Sequence, residues 1–116
     1  MTNDADKKES KETLFDEFGE ISQKEIKSRT LKLREKLEEP NSKNTGLGAY
    51  IFLYANKNKI KQFAKIRKTI VEALYDNCRD CYGYDGGRII FVEAGELEKQ
   101  KIQFWLLPPG AEPPIP

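Results

Sequence analysis

Cys78-Arg79-Asp80-Cys81 is the segment whose residue types and spacing bear most directly on chemistry. Covalent haem attachment needs a histidine after the second cysteine, and residue 82 is Tyr. A structural zinc needs four ligands, and two cysteines in a chain without histidine supply half of them. A redox dithiol is activated at a helix N-terminus, where the dipole stabilises thiolate. This pair instead follows the second expected helix and meets the opposite end of the dipole. It reads as a local disulfide in an oxidising compartment, or as two structural thiols in a reducing one. The lack of histidine also removes the commonest general base and every Ser-His or Cys-His nucleophile pair.

The remaining chemistry-bearing residues form no catalytic constellation. Asp16, Glu17, Glu20, Glu93 and Glu96 show no pairing across a cleft of the kind glycoside hydrolysis requires, and read as solvated charges. Residues 83–87 contain three glycines but precede a strand and lack a G-x-G-x-x-G or Walker pattern, so they read as a turn. Tyr50, Tyr54, Phe91, Phe104 and Trp105 fall on expected strands. Aromatics on a sheet can stack RNA bases, but the RNP pattern is absent and the net charge is +1, which gives no field favouring nucleic acid. They read as core and contact residues. The expectation is a non-enzyme with no cofactor, no metal and no nucleic-acid partner. Lys57, Lys59, Lys61, Lys65 and Lys68 form a local basic run.

The elements that must position these residues are legible from periodicity. The chain has 116 residues, 38% hydrophobic and 34% charged, enough for one core. Residues 1–12 are polar and read as a charged arm without a signal peptide, which fits a cytoplasmic chain or a mature domain. No apolar run approaches the roughly 18 residues a membrane span needs. Leu14, Phe15 and Phe18 support a first strand, ended by Gly19. Ser22 and Glu25 form a capping box, and Ile26, Thr30, Leu33 and Leu37 define one stripe of a helix stopped by Pro40. Residues 49–55 are a nearly continuous apolar strand, expected to be central. A second helix is expected over about residues 59–77, with Ile60, Phe63, Ile66, Ile70, Ala73 and Leu74 inward and Lys61, Lys65, Lys68 and Glu72 outward. Residues 88–93 form a third core strand, 94–100 a turn, and 101–107 a strand closing a final hairpin. Strand alternation places Phe104 and Trp105 on opposite faces, so one of them joins Tyr54 on a contact surface away from the helices. Residues 108–116 are proline-rich and expected to be extended. The whole predicts an α/β two-layer sandwich over residues 13–107 in β-α-β-α-β-β order, with two helices packed on one face of a mixed sheet.

That order resembles the C-terminal domain of outer membrane protein A, a peptidoglycan-associating module of bacterial envelopes. The resemblance is carried by Phe15-Asp16-Glu17-Phe18-Gly19 at the opening strand, Ile89 to Val92 after the second helix and Lys101 to Leu106 at the close. It is closer to a divergent group of envelope proteins and lipoproteins with an FDEFG-like start and an ELWxVPPGA-like end, matched here by Gln103-Phe104-Trp105-Leu106-Leu107-Pro108-Pro109-Gly110-Ala111. The resemblance implies a periplasmic or extracytoplasmic module with a protein partner in an envelope assembly. In typical members an Asp and an Arg hold the ammonium and carboxylate of a diaminopimelate residue. Arg67 aligns with that Arg, in Arg67-Lys68-Thr69-Ile70-Val71. Asn56-Lys57-Asn58 stands where the Asp belongs, so Asn56, Asn58 and Arg67 mark a site without its acidic half.

Overall fold

Residues 12–40, 46–56, 61–75, 89–112 and 114–115 are described in a computed structural model. Residues 1–11 of the charged arm lie outside them. The elements run β1 (Thr13–Phe18), α1 (Gln23–Glu38), β2 (Gly48–Ala55), α2 (Gln62–Tyr75), β3 (Ile89–Glu96) and β4 (Lys101–Leu107), in the expected order.

α1 starts where the sequence says it must. The Ser22 hydroxyl accepts from the Glu25 amide at 3.1 Å, satisfying one of the donors left open at a helix start. Ile26, Thr30, Leu33 and Leu37 are its buried residues. Thr30 is tolerated in that stripe because its hydroxyl donates to the Ile26 carbonyl at 2.8 Å. α2 buries Phe63, Ile66, Thr69, Ile70, Ala73 and Leu74 and exposes Lys65, Lys68 and Glu72, with Lys61 exposed just before it. Ile60 and the expected ends of this helix lie outside the described residues. Gln23 Nε2 donates to Thr69 Oγ1 and Arg34 Nη1 to the Ala73 carbonyl, each at 3.3 Å, tying the helices together on one face of the sheet. Their apolar stripes share one core with Ala49, Ile51 and Leu53 of β2 and Ile102, Phe104 and Leu106 of β4. No helix among the described residues is long and apolar enough to cross a membrane.

The sheet order is β1-β4-β2-β3, with β4 antiparallel to β1 and β2, and β2 parallel to β3. The final hairpin expected from the short β3–β4 connection does not form. Strands lie about 4.8 Å apart, so a few extended residues suffice to step over one strand. Residues 97–100 do this across the end of β2. The Leu97 amide donates to the Ala55 carbonyl at 3.1 Å and Asn56 Nδ2 to the Glu98 carbonyl at 2.7 Å. β3 is therefore an edge strand and not a core one; none of its residues is fully buried. It also runs further than the expected end at residue 93. Leu53 pairs with Glu93 but Tyr54 with Gly95, leaving Ala94 as a bulge and Gly95 at φ 146°. A second bulge in β1 leaves Phe15 unpaired between Leu14↔Trp105 and Asp16↔Phe104.

The proline-rich tail begins with a turn and not an extended run. The Ala111 amide donates to the Pro108 carbonyl at 3.1 Å, with Gly110 at φ 84°. Proline followed by a glycine at positive φ is the pairing a type II turn demands.

Candidate functional site

A concavity lies between α2 and the edge strand β3. It is a cleft of about 580 Å³ walled by Leu53, Phe63, Phe91 and Val71, with Arg67, Lys68 and Glu93 supplying charge. The helical period builds its upper wall: Phe63, Arg67 and Val71 follow at intervals of one turn, and Ala64 and Lys68 run beside them. Inward residues of β3 build the lower wall, since Phe91 pairs with Ile51, a core position. The Arg67 guanidinium lies 5.0 Å from the centroid of the Phe91 ring, a cation–π stack that holds the planar group over the strand. No carboxylate among the described residues pairs with it at ion-pair distance, although Glu93 lines the same cleft.

The other site residues expected from the sequence do not gather there. Asn56 is not part of the Arg67 cleft; its side-chain amide is used to hold the 97–100 connection. Asn58 and the neighbouring Lys57 and Lys59 lie outside the described residues, as do Cys78, Cys81 and residues 83–87. Of the carboxylates, Asp16 accepts from Arg29 Nη1 at 2.8 Å, and Glu17 accepts from Gln103 Nε2 at 2.6 Å. Asp16 and Glu93 stand on the two opposite edge strands.

The expected contact surface divides. Phe104 belongs to the core, fully buried and edge-on to Phe18 at 5.4 Å. It is not on the outer face, because its register partner Ile51 and its neighbours Ile102 and Leu106 all point to the helices. Trp105 takes the outer face, half-buried, with its indole Nε1 donating to Gln103 Oε1 at 3.1 Å. It pairs across the sheet with Tyr50, while Tyr54 pairs with Lys101, whose ammonium sits 4.8 Å from the tyrosine ring centroid. Between the two tyrosines Phe52 is 1% exposed, with the Tyr50 ring edge-on at 6.3 Å. Leu14 and Ile90, 42% and 38% exposed, flank this aromatic row on the edge strands.

Lys68, Phe63 and Leu53 were not singled out for the cleft by sequence reasoning. The Phe63–Arg67–Val71 line was the available signal, but it points to a cleft only once β3 is known to be the edge beneath it. The chain matches no protein-family model, no curated protein and no solved structure.

Proposed function

We propose that this chain is a non-catalytic binding or scaffolding module of the bacterial cell envelope, working through contact with a protein partner. The observation that carries the reading is the sheet face opposite the helices. Tyr50, Tyr54 and Trp105 form an aromatic row there, flanked by exposed Leu14 and Ile90. Amphipathic aromatics of this kind are enriched at protein interfaces. The envelope location rests on the resemblance of the opening and closing segments. The test is a photo-crosslinking residue at Trp105, with one at Glu35 on the exposed side of α1 as control. The expected result is a discrete adduct with an envelope protein from position 105 and not from 35. No adduct from either position, in cells that express the chain from its native locus, removes the reading.

A second reading has its own observation. Arg67 is held over Phe91 with no carboxylate partner among the described residues, which suits capture of a ligand carboxylate, as in cell-wall peptides. Asn56 is committed to a backbone carbonyl, and the described carboxylate lining the Arg67 cleft is Glu93 of β3, at a position other than the Asp of the resembled site. Sedimentation with purified sacculi, lost in Arg67→Ala, supports this reading; equal sedimentation of the variant removes it.

A further inference from the structure

We infer that the free side of β3, together with the Arg67 cleft, is a strand-addition site for an extended peptide carrying an acidic side chain. This rests on the binding-module reading but uses a surface separate from the aromatic sheet face. Among the described residues β3 is paired on one side only, with β2, and no described group engages its other side. From Ile89 to Glu93 its register with β2 is unbroken; the bulge comes after. The run Ile89-Ile90-Phe91-Val92 is uncharged and apolar, the kind of edge that templates a further strand. The opposite edge, β1, is blunted by a bulge at Phe15 and by the charges of Asp16 and Glu17.

The cleft supplies what an edge alone lacks, a means of selecting the incoming strand. In strand addition the main chain gives affinity and pockets for alternate side chains give specificity. Ile89, Phe91 and Glu93 are the helix-side residues of β3, paired with core positions of β2. Alternate residues of an added strand continue that row outward beneath α2, into the cleft. Its volume of about 580 Å³ accepts a side chain with room to spare. Arg67 and Lys68 there outnumber Glu93, so the complementary side chain is a carboxylate, with Arg67 offering a planar, pre-oriented fork. A second copy of the chain fits less well, because two-fold pairing of β3 turns the Arg67–Lys68 faces of two α2 helices toward each other.

The test uses short fluorescent peptides of alternating valine and threonine, with one central valine replaced by glutamate or by lysine. Binding to the full chain is followed by anisotropy. The glutamate peptide is expected to bind about tenfold more tightly than the lysine peptide, and Arg67→Glu to reverse that order. Methylating alternate peptide nitrogens abolishes binding in one register and spares it in the other, while Glu35→Ala on the exposed side of α1 leaves it unchanged. Equal affinity for both peptides, or indifference to methylation in both registers, overturns the proposal. So does failure of every peptide to bind a chain shown folded by its amide spectrum, or a dimer in sedimentation that is lost when β3 is substituted. If crosslinking from position 105 persists in that case, only strand addition falls. Arg67-dependent binding of a diaminopimelate-containing muropeptide, with none of the strand peptides, transfers the cleft to the cell-wall reading.

Discussion

At both edges of the sheet a helix arginine lies over a phenylalanine of the edge strand, and the two edges differ in what completes the contact. On β1, Arg29 of α1 stacks over Phe18 at 5.1 Å and also reaches Asp16 at 2.8 Å. On β3, Arg67 of α2 stacks over Phe91 at 5.0 Å, and the nearby Glu93 does not pair with it. Each phenylalanine has an acid two positions away on the same strand face, before it in β1 and after it in β3. The first edge is a closed clamp. The second leaves a cation pre-oriented over an apolar floor. The same local geometry thus serves fastening at one end of the sheet and leaves an arginine without a described carboxylate partner at the other, and the placement of one carboxylate makes the difference.

The comparison predicts a graded series of effects. Truncating Phe104→Ala removes the floor of the closed edge, the edge-on contact with Phe18, and is expected to destabilise the chain by about 3–5 kcal/mol in chemical denaturation. At the open edge the largest backbone liability is Gly95, whose φ of 146° an L side chain rarely adopts. Gly95→Ala is expected to cost about 1–3 kcal/mol by the same measurement, with the loss confined to β3 amides in hydrogen exchange. Arg29→Ala removes both an ion pair and a ring contact, and about 1 kcal/mol is expected, falling as salt is raised. Arg67→Ala removes the ring contact alone and is expected to cost about 0.5 kcal/mol, since its side chain is exposed and unpaired by any described carboxylate. If Arg67→Ala costs as much as Arg29→Ala, the second edge is also a clamp and the receptor reading loses its basis.

Much of the helical layer was legible in the sequence because its determinants are local. The Ser22 cap and the Ile26–Thr30–Leu33–Leu37 stripe lie within one element, and the structure buries all four stripe residues. Thr69 is absent from the inward face expected of α2, yet its bond to the Lys65 carbonyl makes it as compatible with burial as the Thr30 bond to Ile26 does in α1. Strand order was not legible. A short connection normally signals a hairpin, and nothing within 97–100 reveals that Ala55 and Asn56, far back in the chain, anchor it across β2. Alternation correctly separated Phe104 from Trp105, but which one points to the helices depends on the register with Ile51 and Tyr50. The site suffered the same limitation. Arg67 was identifiable as a motif residue, whereas the cleft beneath it exists only because β3 lies at an edge. The segments that carried the family resemblance prove to be neighbours: Asp16, Glu17 and Phe18 pair in register with Phe104, Gln103 and Ile102. Their residue types are explained by that zipper, down to the Glu17–Gln103–Trp105 hydrogen-bond chain.

The insertion of β4 between β1 and β2 has a consequence for how the molecule comes into being. Thr13, near the start of the described chain, pairs with Leu106, near its end, and β1 has no other strand partner among the described residues. As a ribosome releases the chain, both helices, β2 and β3 emerge while the first strand still waits and β2 still shows an open side. The closing residues are therefore the keystone of assembly: they complete two ladders at once, and a chain cut before Lys101 retains the helices' sequence but has no route to a finished sheet. Closing contacts of such long sequence separation slows the final step relative to helix formation. It also leaves synthesis as the interval in which β1 and β2 are exposed to wrong partners.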